Sequence, residues 1–141
     1  MRMKTLGYYN GTYDELENMM VPFDDRVCFF GDGVYDAGPA RNYHLFAIDE
    51  HIDRFFNSAK LMDIEIPCSK EELKELLASL VLKMDTGNNF VYWACTRGTG
   101  IRNHVYKKGP GNLWVMIKPE TLDTCQKPIK CVTQEDKRFF Y

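Results

Sequence analysis

Apolar residues recur along this chain with two different periods, and each period predicts an element. Ile52, Phe55, Phe56 and Ala59 fall at i, i+3, i+4 and i+7, the spacing of one helical face turned to a core, with Asp49 placed to cap the helix and Met62 near its end. Ser69 with Glu72 three residues later forms a capping-box pattern. It opens a run in which Leu73, Leu76, Leu77, Leu80, Val81 and Met84 share one face. The stretch Asp85 to Asn89, with Gly87 inside, stops that helix. Phe90-Val91-Tyr92-Trp93-Ala94-Cys95 and Leu113-Trp114-Val115-Met116-Ile117 are nearly continuous apolar, β-rich runs, the signature of buried strands. Between Val34 and Ala47 two extended pieces flank Asn42-Tyr43-His44 as a hairpin, in which Gly38-Pro39 is expected to break the ladder or force a bulge.

Two helices laid on a sheet give an α+β fold, a two-layer α/β sandwich, over residues 1–119. Residues 120–141 read as a polar connector, Glu120 to Thr124, followed by Pro128 to Thr133 as the opening strand of a second domain. The three terminal aromatics, Phe139-Phe140-Tyr141, expect a packing partner. At 141 residues the chain is long enough for one core. Its 45% hydrophobic and 27% charged residues exclude a disordered segment, and no apolar run is long enough to span a bilayer.

Eighteen basic against twenty acidic residues leave a formal charge of -2. No long-range positive field argues for nucleic acid or an anionic membrane, so any anion site must be local. The start, Met1-Arg2-Met3-Lys4, runs into mixed polar sequence with no apolar core of a secretory signal, which makes the cytoplasm the expected compartment. The five cysteines, Cys28, Cys68, Cys95, Cys125 and Cys131, are odd in number and lack CxxC spacing. They read as reduced, mostly buried thiols, with neither a disulfide framework nor a metal site.

Three places carry candidate chemistry. Gly31-Asp32-Gly33 holds a GxG without the third glycine of a dinucleotide loop and reads as a tight turn feeding a strand. Arg54 lies roughly opposite the Ile52 stripe and, taken alone, reads as a solvated arginine. Thr96-Arg97-Gly98-Thr99-Gly100-Ile101-Arg102-Asn103-His104 gathers two arginines and a histidine in a loop after a buried strand. Such a loop suits a small carboxylic acid, since arginine offers a planar fork to a carboxylate, though a basic exposed loop is an equal reading. No nucleophile or metal-ligand pattern accompanies His104.

Taken jointly, FFGDGVYD, then LFAIDEHIDRFFNSAKLMDI, then VYWACTRGTGIRNH resemble, in order and spacing, the class IV, fold-type IV pyridoxal-phosphate aminotransferases, most nearly those of the D-amino-acid type. The resemblance runs from about Arg26 to Tyr141. It implies the small amino-terminal domain of such an enzyme, followed by the first strand of a barrel-like second domain. It further implies pyridoxal 5'-phosphate as cofactor, with Arg54 binding the phosphate, and a substrate-carboxylate trap of Tyr35, Arg102 and His104. The loop carrying the last two would reach across a homodimer interface into the neighbouring subunit's site. The implied reaction moves an amino group between an amino acid, of D- or branched-chain type, and a 2-oxo acid. The lysine that joins the cofactor as a Schiff base would lie just beyond Tyr141, so the chain by itself is expected to be inactive. Ala37-Gly38-Pro39-Ala40 stands where the family favours β-branched residues, and Ile101 where proline is common. An aminodeoxychorismate-lyase-type enzyme of the same fold, and a non-catalytic small-acid-binding domain, are the alternatives.

Overall fold

In the computed structural model, which describes residues 2–121 and 128–137, strand alternation decides which side chains meet the helices. Six antiparallel strands form one sheet in the order β2-β1-β6-β5-β3-β4: β1 (Leu6–Tyr9), β2 (Thr12–Asp14), β3 (Gly33–Arg41), β4 (His44–Leu45), β5 (Asn89–Thr96) and β6 (Asn112–Pro119). Leu6, Val34, Ala40, Val91, Trp93, Cys95, Leu113, Val115 and Ile117 point to one face and are buried. They meet α2 (Ile48–Leu61) and α3 (Lys70–Val81) there. A short α1 (Arg26–Phe30) precedes β3. The result is the two-layer α+β architecture expected from the two periods.

Both helical stripes are core. Ile52, Phe55 and Ala59 of α2 are buried, with Phe56 packed against them. Leu73, Leu77, Leu80, Val81 and Met84 are buried, with Leu76 at their margin. The Ser69–Glu72 capping box is present in both directions. Asp49 is not the cap of α2: Ala47, in the left-handed region at φ 47°, holds that place with no side-chain cap. Asp49 sits in the first turn, where its charge suits the helix dipole, and pairs with Lys74 of α3.

The β3–β4 hairpin forms where expected, yet Gly38-Pro39 neither breaks nor bulges it. Register with β5 runs unbroken from Gly33↔Thr96 to Ala40↔Asn89, through Gly38↔Val91 and Pro39↔Phe90. The Pro39 carbonyl accepts from Phe46 N–H at 3.0 Å, on the side away from β5. In an antiparallel strand a residue's nitrogen shares the side of its carbonyl, so the donor that proline lacks would have faced the outer edge.

Residues 128–137 are exposed and make no strand with the sheet, so the strand expected at Pro128 to Thr133 is not seen here. The Phe139–Tyr141 aromatics and Cys125 lie outside the described residues. Of the remaining cysteines only Cys95 is buried, and burial pushes its thiol up to about 12. Cys68 is half-buried, whereas Cys28 and Cys131 are exposed, against the expectation of mostly buried thiols. No helix among the described residues is long and apolar enough to cross a membrane.

Gly111 joins the long β5–β6 loop to β6 where no side chain fits. A methyl there would lie on the Thr96 carbonyl oxygen and Cys95 Sγ and 3.0 Å from the Glu65 carbonyl. Gly111→Ala should therefore cost about 1–3 kcal/mol, whereas Gly109→Ala, which faces open space, should stay within about 0.5 kcal/mol. Equal denaturation midpoints for the two variants would contradict this packing.

Candidate functional site

The side chain of Asp36 is 1% exposed beneath α2, on the inward face of β3. A buried carboxylate needs compensation, and α2 supplies it with residues three apart on one face. Arg54 donates from Nε to Oδ2 at 2.8 Å and from Nη2 to Oδ1. His51 Nδ1 lies 2.9 Å from Oδ1, and the Ala37 N–H donates to the same oxygen at 2.7 Å. Burial alone would raise this carboxyl, but the hydrogen bonds from Arg54, His51 and Ala37 outweigh it and hold Asp36 below the ordinary carboxylate range. The imidazole stacks edge-on to buried Trp93 and covers Gly38, where a methyl would come 3.0 Å from Nε2. That contact gives a physical account of glycine where β-branched residues were expected.

Arg54 itself is 65% exposed. Its guanidinium is thus fixed at one side by a buried anion while facing water, and it keeps N–H donors that Asp36 does not use. This donor set fits a phosphate group: a charged planar fork whose aim is set before any ligand arrives. Helical spacing correctly placed Arg54 away from the Ile52 stripe. Its anchor, Asp36, and the neighbouring His51 were not among the sequence candidates.

Gly31, at φ 63°, ends α1 in the left-handed region, so Gly31-Asp32-Gly33 is the tight turn into β3 that was expected. Asp32 accepts from Arg26 Nε at 2.8 Å and from Arg97 Nε at 2.8 Å. Here too burial would raise the carboxyl, but the two arginines hold it low. Arg97 also donates to the Met62 and Asp63 carbonyls at the end of α2, at 2.8 and 2.7 Å, and lies 3.9 Å over the Tyr106 ring. It is therefore a cross-brace within the fold, its side chain only 7% exposed. Tyr106 donates to Asp63 at 2.7 Å, as does Lys108 at 2.9 Å, which fastens the far end of the β5–β6 loop.

The other loop residues differ. Arg102 and His104 are exposed and gather on one ring, Phe30, at 5.2 and 5.6 Å. Arg102, but not His104, lines a basic hollow of about 410 Å³ together with Arg26, Arg97, Thr99 and Lys107. Tyr35 stands on the sheet face that the helices leave open, 67% exposed and stacked on Tyr92 at 5.3 Å. Of the four sequence-named site residues, the fold thus brings Arg102 and His104 together, while Tyr35 and Arg54 project from β3 and α2 respectively.

A family model described as amino-transferase class IV matches residues 33–139. The D-alanine aminotransferase of Bacillus licheniformis is 34% identical over 142 aligned residues, which take in 97% of this chain and 49% of that protein. The D-alanine aminotransferase of Listeria monocytogenes serotype 1/2a (strain 10403S) is 46% identical over 92 residues, 64% of this chain and 32% of its own. Among solved structures, the T.th. branched-chain amino acid aminotransferase complexed with N-(5'-phosphopyridoxyl)-L-glutamate superposes with a TM-score of 0.73. It has 22% identity and covers 82% of this chain and 40% of that one. The branched-chain amino acid aminotransferase from Escherichia coli gives a TM-score of 0.73 at 18% identity, over 83% of this chain and 41% of its own. At these identities the structural likeness speaks for the fold alone. The chain spans about a third to a half of the length of the curated relatives it matches.

Proposed function

The chain belongs to the class IV amino-transferase family, and from that premise we propose that it is the amino-terminal part of a pyridoxal-phosphate-dependent enzyme moving an amino group between a D-amino acid and a 2-oxo acid. The D-amino-acid assignment follows the curated relatives, named D-alanine aminotransferases at 30–46% identity. The branched-chain structures, all at 22% or below, carry less weight for substrate.

The observation that carries the proposal is the buried Asp36 beneath an exposed Arg54. A long, flexible side chain loses rotamer freedom when it clamps a ligand, and a partner that fixes it beforehand lowers that cost. Arg54 would hold the phosphate of pyridoxal phosphate, His51 and Asp36 keeping its fork in place. When bound, the pyridine ring supplies the electron sink for the carbanion left by loss of the α-proton. Tyr35, with Arg102 and His104 from the neighbouring subunit of a homodimer, would hold the substrate carboxylate. The covalent lysine would lie outside this chain, which spans about half the length of these relatives.

The test uses the full-length protein, assayed with D-alanine and 2-oxoglutarate beside aminodeoxychorismate. Amino transfer from D-alanine is the expected result, and pyruvate elimination alone would replace transferase by lyase. Arg54→Ala should weaken pyridoxal-phosphate binding by roughly 2–5 kcal/mol, 30-fold or more, a larger effect than on the fold, where His51 and the Ala37 N–H still hold Asp36. Unchanged affinity in an absorbance titration would remove Arg54 from the phosphate site.

A further inference from the structure

The short helix α1 has no role in the site as described so far, yet it touches the β5–β6 loop at every level. The start of α1 and the residue before its cap pair with the loop backbone: Arg26 N–H donates to the Gly98 carbonyl, and Gly100 N–H to the Asp24 carbonyl, both at 3.0 Å. Beneath them lies Asp25, fully buried, which accepts from the Val27 N–H, the Thr96 hydroxyl and the Asn112 amide. The floor of the loop is thereby fixed to the start of α1.

Higher up, two α1 side chains reach the segment that bears Arg102 and His104. Arg26 Nη1 donates to the carbonyl of Asn103, the residue between them, at 2.7 Å. Phe30, one turn on, offers its ring to the Arg102 guanidinium at 5.2 Å and to the His104 imidazole at 5.6 Å. Arg26 lies over the same ring at 4.7 Å, and its Nε is held in turn by Asp32. A guanidinium and an imidazole that would otherwise sample many rotamers in water are both drawn to one aromatic face. The backbone between them is clamped from the same helix.

We infer that Phe30 and Arg26 are positioning residues that present Arg102 and His104 to the substrate carboxylate. This rests on the proposed function, in which Arg102 and His104 bind that carboxylate. Neither α1 residue touches substrate; they set where the two binding groups stand. Such a role predicts a loss confined to steps in which the carboxylate is held, and shared by donor and acceptor, since both carry one.

In the full-length enzyme, Phe30→Leu keeps apolar bulk but removes the aromatic face. It should raise KM for D-alanine and for 2-oxoglutarate by roughly five- to tenfold, with kcat within about twofold. Pyridoxal-phosphate affinity and thermal midpoint should match the parent. Phe30→Tyr, which restores the ring, should return both KM values to the parent. Arg26→Gln, losing the clamp on Asn103, should move KM in the same direction and serves if Phe30→Leu does not fold. Arg102→Ala is measured alongside. If it raises KM while Phe30→Leu and Arg26→Gln do not, the positioning role is wrong and the carboxylate site stands. If Arg102→Ala leaves KM unchanged, the carboxylate reading itself fails. A fall in kcat alone, or a Phe30→Tyr as impaired as Phe30→Leu, also overturns the inference.

Discussion

Leu77→Ala should destabilise the protein by about 2–5 kcal/mol. Leu77 is fully buried at the centre of the α3 stripe, flanked by Leu73, Leu80 and Val81, which are buried as well. Truncation removes transfer energy and leaves a cavity that a helix fixed at its start by a complete capping box cannot readily close. A shift of denaturant midpoint with unchanged slope would report that loss. Leu82 is the internal control: just past the end of α3 it is largely exposed, and Leu82→Ala should remain within about 0.5 kcal/mol. A loss below about 1 kcal/mol at Leu77 would mean that α3 does not seal the core.

Arg97→Ala should cost a comparable amount, about 3–5 kcal/mol, through a different mechanism. The side chain is 7% exposed and joins Asp32 to the two carbonyls at the end of α2. Its removal leaves those carbonyls without their donor and Asp32 with Arg26 alone. Lysine should not rescue, because an ammonium cannot span the carboxylate and both carbonyls as a fork does. Acid sensitivity supplies a second readout. The Asp32 carboxyl is depressed in the folded state, so its contribution is present above the ordinary carboxylate range and is lost as pH falls through the folded value. The parent should therefore lose more stability than Arg97→Ala between about pH 7 and about pH 3. Parallel pH profiles would sink the assignment. Arg102→Ala, in the same loop but exposed, should leave stability within about 0.5 kcal/mol.

Those two arginines show where reading residues in order reaches its limit. Arg97 and Arg102 looked alike in a basic loop, and what separates them is Asp32 and the end of α2, distant in sequence from both. The helices and the two long strands were readable because their determinants are local: a capping box, a 3.6-residue stripe, a run of β-rich residues between turn signals. β1 and β2 escaped notice although Asn10-Gly11 joins them with both residues at positive φ, the pairing that favours a tight hairpin. α1, five residues long, is too short to show a period, and only Asp25 as its cap announces it. The Asp36–Arg54 pair was out of reach for a further reason. An aspartate at an inward strand position looks like an error in the pattern until the helix residue that neutralises it is in view.

The outer edge of β3 has a consequence for how this protein behaves in a crowded solution. β4 covers only Ala40 and Arg41 of that strand, so the edge before them would be a template on which another chain could add a strand. Two successive outward donors are removed from that template. The Ala37 N–H is already taken by the Asp36 carboxylate at 2.7 Å, and Pro39, whose carbonyl binds Phe46, has no N–H to give. An intruding strand would bring carbonyls to places where nothing donates, leaving them dehydrated and unmatched. The carboxylate that steadies Arg54 thus also makes this stretch of edge a poorer template for an added strand, and a change at Asp36 would reopen one of those donors to a passing chain.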